Sequence, residues 1–186
     1  MDRAGWAAAQ VHEGKFVAGM YGTLPGDEQS VPRAELYALR AVLGLVLPPA
    51  TIWMDHENHV RAIRKGKAWC TSPVRLHADL WKVIWEKFED IGGLGESLVV
   101  KYTPAHTKEV QGEPLITRHN RIGNSWADKL AKCGRDLHVM PKGLIERIAE
   151  LRGVALTYAR WVGRAAALQG KDGRARDANP RSDEEA

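Results

Sequence analysis

Apolar and polar positions along the chain change period several times, and each change marks an element. Residues 5–12, GWAAAQVH, and 15–24, KFVAGMYGTL, read as two strands. Between them lies Glu13-Gly14, where Gly14 supplies the permissive backbone of a tight hairpin. In the second strand Phe16, Ala18 and Met20 face one side and Val17, Gly19 and Tyr21 the other. After a loop at 25–31, Pro32 suits a first helical turn, and Leu36, Leu39, Val42, Leu43 and Val46 recur at helical spacing. This predicts a helix to about Leu47, stopped by Pro48-Pro49. Residues 51–55, TIWMD, form a short apolar run ending in an acid, the pattern of a buried strand.

Residues 56–65 are predicted helical and 66–75 a basic loop. A helix over 76–90 carries the stripe Leu76, Leu80, Val83, Ile84 and Phe88 and ends at Gly92-Gly93. SLVVKYTPAH, 97–106, is a strand running into a loop, and 107–123 is polar. Asn124 has the character of an N-cap for a helix through Lys132, with Gly134 just past its end. Residues 142–168 predict a long amphipathic helix, apolar at Leu144, Ile148, Leu151, Ala155, Ala159 and Val162. The last sixteen residues are charged and poor in apolar groups, which predicts disorder. The order hairpin, helix, strand, helix, strand, helix defines a mixed α/β sheet protein without internal repeats.

Composition narrows the class. The 186 residues are 44% hydrophobic and 27% charged, enough for one domain with appendages and a core that needs no staples. Cys70 and Cys133 lie far apart without partners at metal-ligand spacing, which argues against a disulfide framework or a zinc site and suits a reducing compartment. No apolar run reaches the ~20 residues of a membrane span, and no long apolar segment follows the N-terminus as in a signal peptide. The expected location is intracellular, cytoplasmic or nuclear. Charge is uneven: residues 1–128 hold 15 basic and 15 acidic side chains, whereas 129–170 hold 8 and 3. A basic segment on a neutral body suits a polyanion partner or an ordinary solvated helix face.

Three acids stand beside apolar residues. Glu35 is in the first turn of RAELYALRAVL, Asp55 ends TIWMD, and Asp128 lies in GNSWADKLAK. Ionised carboxylates resist leaving water, so three in one domain call for a shared counter-charge. Mg²⁺ takes oxygen ligands and often needs only a few carboxylates plus a substrate phosphate. Singly, each acid also has a plain reading: Glu35 and Asp128 as first-turn acids complementing a helix dipole, Asp55 as a loop acid at a strand end. Spacing alone does not decide between the two.

The segments RAELYALRAVL, TIWMD, VVKYTPAH and GNSWADKLAK occur in the order of the type 1 ribonuclease H family, and the chain resembles that family over about residues 5–135. In the family an A-E-L helix carries one acid, a strand end the next, and a helix beginning G-N-x-x-A-D-x-L-A the last. AGWAAAQ matches the second and third strands of the family's hairpin. Retroelement-type members look most similar, since their helix also begins R-A-E-L. The resemblance implies a ribonuclease H-like mixed sheet flanked by helices, with an extra C-terminal helix. Its expected divisions are 1–135 for that domain, 136–170 for the basic helix and 171–186 for the tail.

The same resemblance implies Glu35, Asp55 and Asp128 as ligands of two Mg²⁺ ions, with Mn²⁺ as a substitute. The implied reaction is hydrolysis of the RNA strand of an RNA–DNA hybrid. His106, in PAHT, matches a mobile-loop histidine that handles protons or helps product leave, with His119 as its competitor. Arg61, Arg64, Lys65, Lys67 and Trp69, in a region that approaches DNA phosphates in the family, and Asn124 are implied nucleic-acid contacts. For Trp69 and its cations a solvated loop with a core tryptophan is an equal reading.

One part of the pattern is missing. The family's first strand, central in its sheet, ends in D-G-S and supplies the aspartate that bridges both metals. Asp2 precedes Gly5 by three residues with no apolar strand ahead of it, and is not accepted as that ligand. Val31-Pro32 replaces the polar residues ahead of A-E-L, and His56 replaces a common serine. The chain thus reads as a ribonuclease H domain cut at its N-terminus, a monomer or part of a larger polyprotein.

Three functions follow as expectations: a hybrid endonuclease, a related fold that binds nucleic acid without cutting, and an interaction domain whose C-terminal helix docks a partner through Leu156, Tyr158 and Trp161. For that helix, packing on its own sheet explains the same stripe more simply.

Overall fold

The computed structural model describes residues 3–95, 97–139 and 143–176. Two compact units divide the chain, Met1–Val139 and Met140–Ala186. The first contains β1 (Gly5–His12), β2 (Lys15–Thr23), α1 (Val31–Leu43), β3 (Ala50–Met54), α2 (Glu57–Lys65), α3 (Lys67–Cys70), α4 (Ala78–Asp90), β4 (Leu98–Tyr102) and α5 (Leu115–Asp136). The second contains α6 (Leu144–Arg176). The class is mixed α/β.

Among the described residues the strands form two separate ribbons. β1 and β2 pair antiparallel, with Glu13 and Gly14 both at positive φ in a two-residue turn. β3 and β4 pair parallel, Ala50 opposite Leu98 through Met54 opposite Tyr102. The expected single mixed sheet is therefore two ribbons, because no strand bridges β1 and β3.

The core gathers on one side of this division. Leu36, Leu39 and Leu43 of α1, Met54 of β3, Val60 and Ile63 of α2, Leu80, Trp81, Ile84 and Phe88 of α4, and Leu98 of β4 form one buried cluster. Helical periodicity in α1 and α4 puts these side chains on one face of each helix. The hairpin instead lies on α5. Phe16 stacks on Trp126 with ring centroids 4.4 Å apart, and helix and hairpin backbones touch. A Cβ at Gly134 would collide with the carbonyl of Gly22, and one at Gly5 with the carbonyl of Ala131. Glycine at these positions is what allows the helix to lie so close.

Several boundaries depart from the sequence reading. α1 ends at Leu43, not Leu47; Gly44 caps it, and the N–H groups of Gly44 and Leu45 bond back to Ala41 and Val42 in a tightened last turn. A short helix, α3, interrupts the expected 66–75 loop. Leu76 lies ahead of α4 and is 82% exposed, so the stripe starts at Leu80. The largest change is in α5. It begins at Leu115 after Pro114, so Asn124 is no N-cap but a mid-helix residue, and His119 is helical. Arg121, bonded to Glu113 at 2.5 Å, ties the early turns to the preceding loop. Gly123 is tolerated where a Cβ would sit 3.5 Å from Val11. Helical backbone runs through Arg176, past the expected tail boundary of 171; Lys171, Arg174, Ala175 and Arg176 are good helix formers, and propagation of an existing helix carries it across Gly173. The rest of the tail, 177–186, and Asp2 lie outside the described residues.

Candidate metal and nucleic-acid site

A cleft of about 740 Å³ separates the two ribbons. Its walls are Ala8–Val11 and Ala18–Met20 of the hairpin, Ala50–Met54 of β3 and one face of α5. β1 and β3 each pair on one side only and both line it. Glu35, Asp55 and Asp128 line this same cleft, although 20 and 73 residues separate them in sequence.

Each acid reaches the cleft by a different route. Ser30 caps α1 by accepting the Arg33 N–H, which fixes the turn that carries Glu35 between buried Ala34 and Leu36. The Arg33 guanidinium grips Asp79 at 3.0 and 2.6 Å, joining the start of α1 to the first turn of α4. Asp55 follows β3 directly, where Thr103 N–H bonds the Met54 carbonyl at 2.9 Å and extends the parallel pairing. Asp128 sits mid-way along α5, so complementing a helix N-terminus is not its role. His106, at φ 53° on the loop after β4, brings Nδ1 to 3.5 Å from Asp128 Oδ2 and is largely exposed.

Electrostatics tie the acids together. Burial, then the charges of Asp55 and Asp128, push Glu35 up to about 8. Asp55 is also raised, first by burial and then by Asp128. Glu35 opens toward the cleft yet is walled by protein, so its charge is poorly hydrated. A field of this kind favours a proton or a cation. Even so, among the described residues no three His, Cys, Asp or Glu side chains stand close enough together to hold an ion as they are. The carboxylates share a cleft and a field without forming a finished cage.

The expected nucleic-acid residues divide. Asn124 lines the cleft, as do His119 and Asn120 one turn earlier on α5. Arg61, Arg64, Lys65, Lys67 and Trp69 do not line it. Arg61 pairs with Glu57 at 2.6 Å and Lys67 with Glu89 at 2.7 Å. Trp69 is half-buried under Lys65 and Arg75, whose charged groups lie 4.4 and 4.0 Å from its centroid. Arg64 is exposed.

The sequence reading passed over His59. It is 6% exposed, stacks on His56 at 3.9 Å and meets the edge of Trp81 at 5.8 Å. Burial, then the charges of His56 and His77, lowers it to about 3, so it stays neutral. The three-residue spacing of His56 and His59 at a helix start was the available signal.

No family profile, curated protein or solved structure matches the chain. No helix among the described residues is long and apolar enough to cross a membrane.

Proposed function

We propose that the first unit is a ribonuclease H-like domain acting on RNA–DNA hybrids, its cleft mouth being the site of RNA-strand hydrolysis. One observation carries this reading: Glu35, Asp55 and Asp128, remote in sequence, open into one cleft with His106 beside Asp128. The retroelement-type motifs that hold these residues support it. Two divalent ions, Mg²⁺ or Mn²⁺, would supply an activated water and neutralise the leaving 3′-oxygen. Glu35, Asp55 and Asp128 would be the oxygen donors for them. His106, exposed and 3.5 Å from Asp128, would exchange a proton at the solvent side. The products would carry a 5′-phosphate and a 3′-hydroxyl. Asn124 and the α5 face would meet the substrate, with Arg64 and the Trp69 neighbourhood as outlying phosphate contacts.

A second reading, binding without cutting, is favoured by the incomplete cage. Cleavage assays separate the two. With an added N-terminal strand ending in aspartate, the chain should cut the RNA strand of a hybrid only with Mg²⁺ or Mn²⁺. Asp55→Asn and Glu35→Gln should abolish cutting while leaving hybrid binding in place. Without that strand, turnover should fall far below an ordinary enzymatic rate of order 1 s⁻¹. Metal-dependent cutting by the double variant would sink the site assignment; hybrid binding without cutting in the extended chain would favour the binding module. Affinity should rank hybrid above duplex DNA and weaken as salt rises.

A further inference from the structure

We infer that α6 is a self-association element that pairs antiparallel with α6 of a second copy of this chain. Leu144, Ile148, Leu151, Ala155, Tyr158 and Val162 recur at alternating steps of four and three, the repeat of a helix–helix seam. Leu151, Tyr158 and Val162 are 52%, 67% and 56% exposed. A single helix gains little stability in water without a covered apolar face, so this seam calls for a partner.

Size and charge choose the partner and its direction. Parallel pairing would set Ala155 on Ala155 and Tyr158 on Tyr158, leaving one layer empty and crowding the next. Antiparallel pairing about the Ala155–Tyr158 midpoint sets Ala155 against Tyr158 of the second copy, Leu151 against Val162, and Ile148 against Ala165. Every layer then joins a larger side chain to a smaller one. Residues 144–150 carry Glu146 and Glu150 against Arg147, whereas 151–168 carry Arg152, Arg160 and Arg164 and no acid. Antiparallel copies therefore bring the acidic start of one helix to the basic end of the other.

The available area fits such a dimer. Tyr158 and Trp161 are 67% and 68% exposed. At ~200 Å² per ring, two copies present on the order of 500 Å² in these side chains alone. Leu151, Val154, Val162 and the alanines bring the total to roughly 1,200 Å², the lower bound for a specific interface. Ala155, Ala159 and Ala165 give close helix approach but little to insert into lipid, which disfavours a membrane surface as the occupant.

Sedimentation velocity on the full chain between roughly 1 and 100 μM tests the pairing. The wild type should shift from monomer to dimer. Leu151→Glu or Tyr158→Glu should raise the dissociation constant at least ~30-fold with helicity by circular dichroism retained, and Thr157→Ser, on an exposed position away from the seam, should leave it unchanged. Orientation is read by disulfide trapping in a Cys133→Ser background. Ile148→Cys combined with Ala165→Cys should cross-link two copies. Ile148→Cys alone should not, since the two sites would lie about 25 Å apart. A chain monomeric throughout the range, a dimer insensitive to both seam substitutions, cross-linking by Ile148→Cys alone, or capture of a monomer by phosphatidylserine vesicles through this face would each overturn the proposal.

Discussion

The two halves of the first unit are built to different standards. α1, α2, α4, β3 and β4 share a core in which Leu36 and Ile84 are fully buried and Phe88 nearly so. The hairpin and α5 meet through close backbone approach at glycines, the Phe16–Trp126 stack and partly exposed side chains such as Leu130 over Gly19, and Gly134 is the only fully buried residue of α5. The well-packed half carries Glu35 and Asp55; the thin half carries Asp128. The acids therefore meet only when the two halves keep their places across the cleft, and the thin half is the expected source of motion at the site.

Core truncation should show the difference most strongly. Ile84→Ala is expected to cost ~3–4 kcal/mol in urea unfolding and lower the whole transition. Phe16→Ala should cost only ~1–2 kcal/mol and speed amide exchange mainly in β1, β2 and α5. Equal effects would erase the distinction between the halves. Next in size is Gly134→Val, which drives a side chain into the Gly22 carbonyl and should cost ~2–3 kcal/mol by displacing α5. It should also remove the coupling of Asp128 to Glu35, seen as a fall in the Glu35 titration midpoint by NMR.

The pH dependence gives a finer test. Glu35 is raised from 4.5 to about 8. The folded state binds its proton more tightly than the unfolded state, so stability falls as pH rises through that interval. Allowing for the partly open cleft, the loss is about 1–3 kcal/mol, and Glu35→Gln should flatten it and be more stable than wild type at pH 9. His59 acts with the opposite sign. Its value is lowered from 6.5 to about 3, so the stability it contributes is complete above 6.5 and lost as pH falls toward 3. His59→Leu should blunt the acid limb of the curve of melting temperature against pH. The smallest effect is expected from Asp79→Ala. Asp79 is exposed, and loss of its Arg33 pair should cost under ~1 kcal/mol.

The sequence showed most of the frame because local chemistry dictates it. Glu13-Gly14 sets the hairpin, the three- and four-residue steps of Leu36, Leu39 and Leu43 set α1, and TIWMD needs no more than its apolar run to be a strand. It misjudged residues whose state depends on contacts remote in sequence. Asn124 has the look of a cap, but Gly123 beside it packs against Val11 of the hairpin and the helix continues. Leu76 fits a helical stripe by spacing but precedes His77, whose αL backbone is the N-cap from which α4 starts at Ala78. The acids at the cleft were legible as motifs, not as a cluster, because only the fold brings them together. The basic run at 61–67 was legible as charge, but its pairing with Glu57 and Glu89 was not.

Mn²⁺ binding, followed by the loss of the free-ion paramagnetic resonance signal, tests the shared carboxylate site most directly. The account predicts saturable binding by the 186-residue chain, weakened at least tenfold in each of Glu35→Gln, Asp55→Asn and Asp128→Asn. It also predicts that bound Mn²⁺ lowers the Glu35 titration midpoint, because a cation favours the ionised carboxylate. Unchanged Mn²⁺ affinity in all three variants would contradict it.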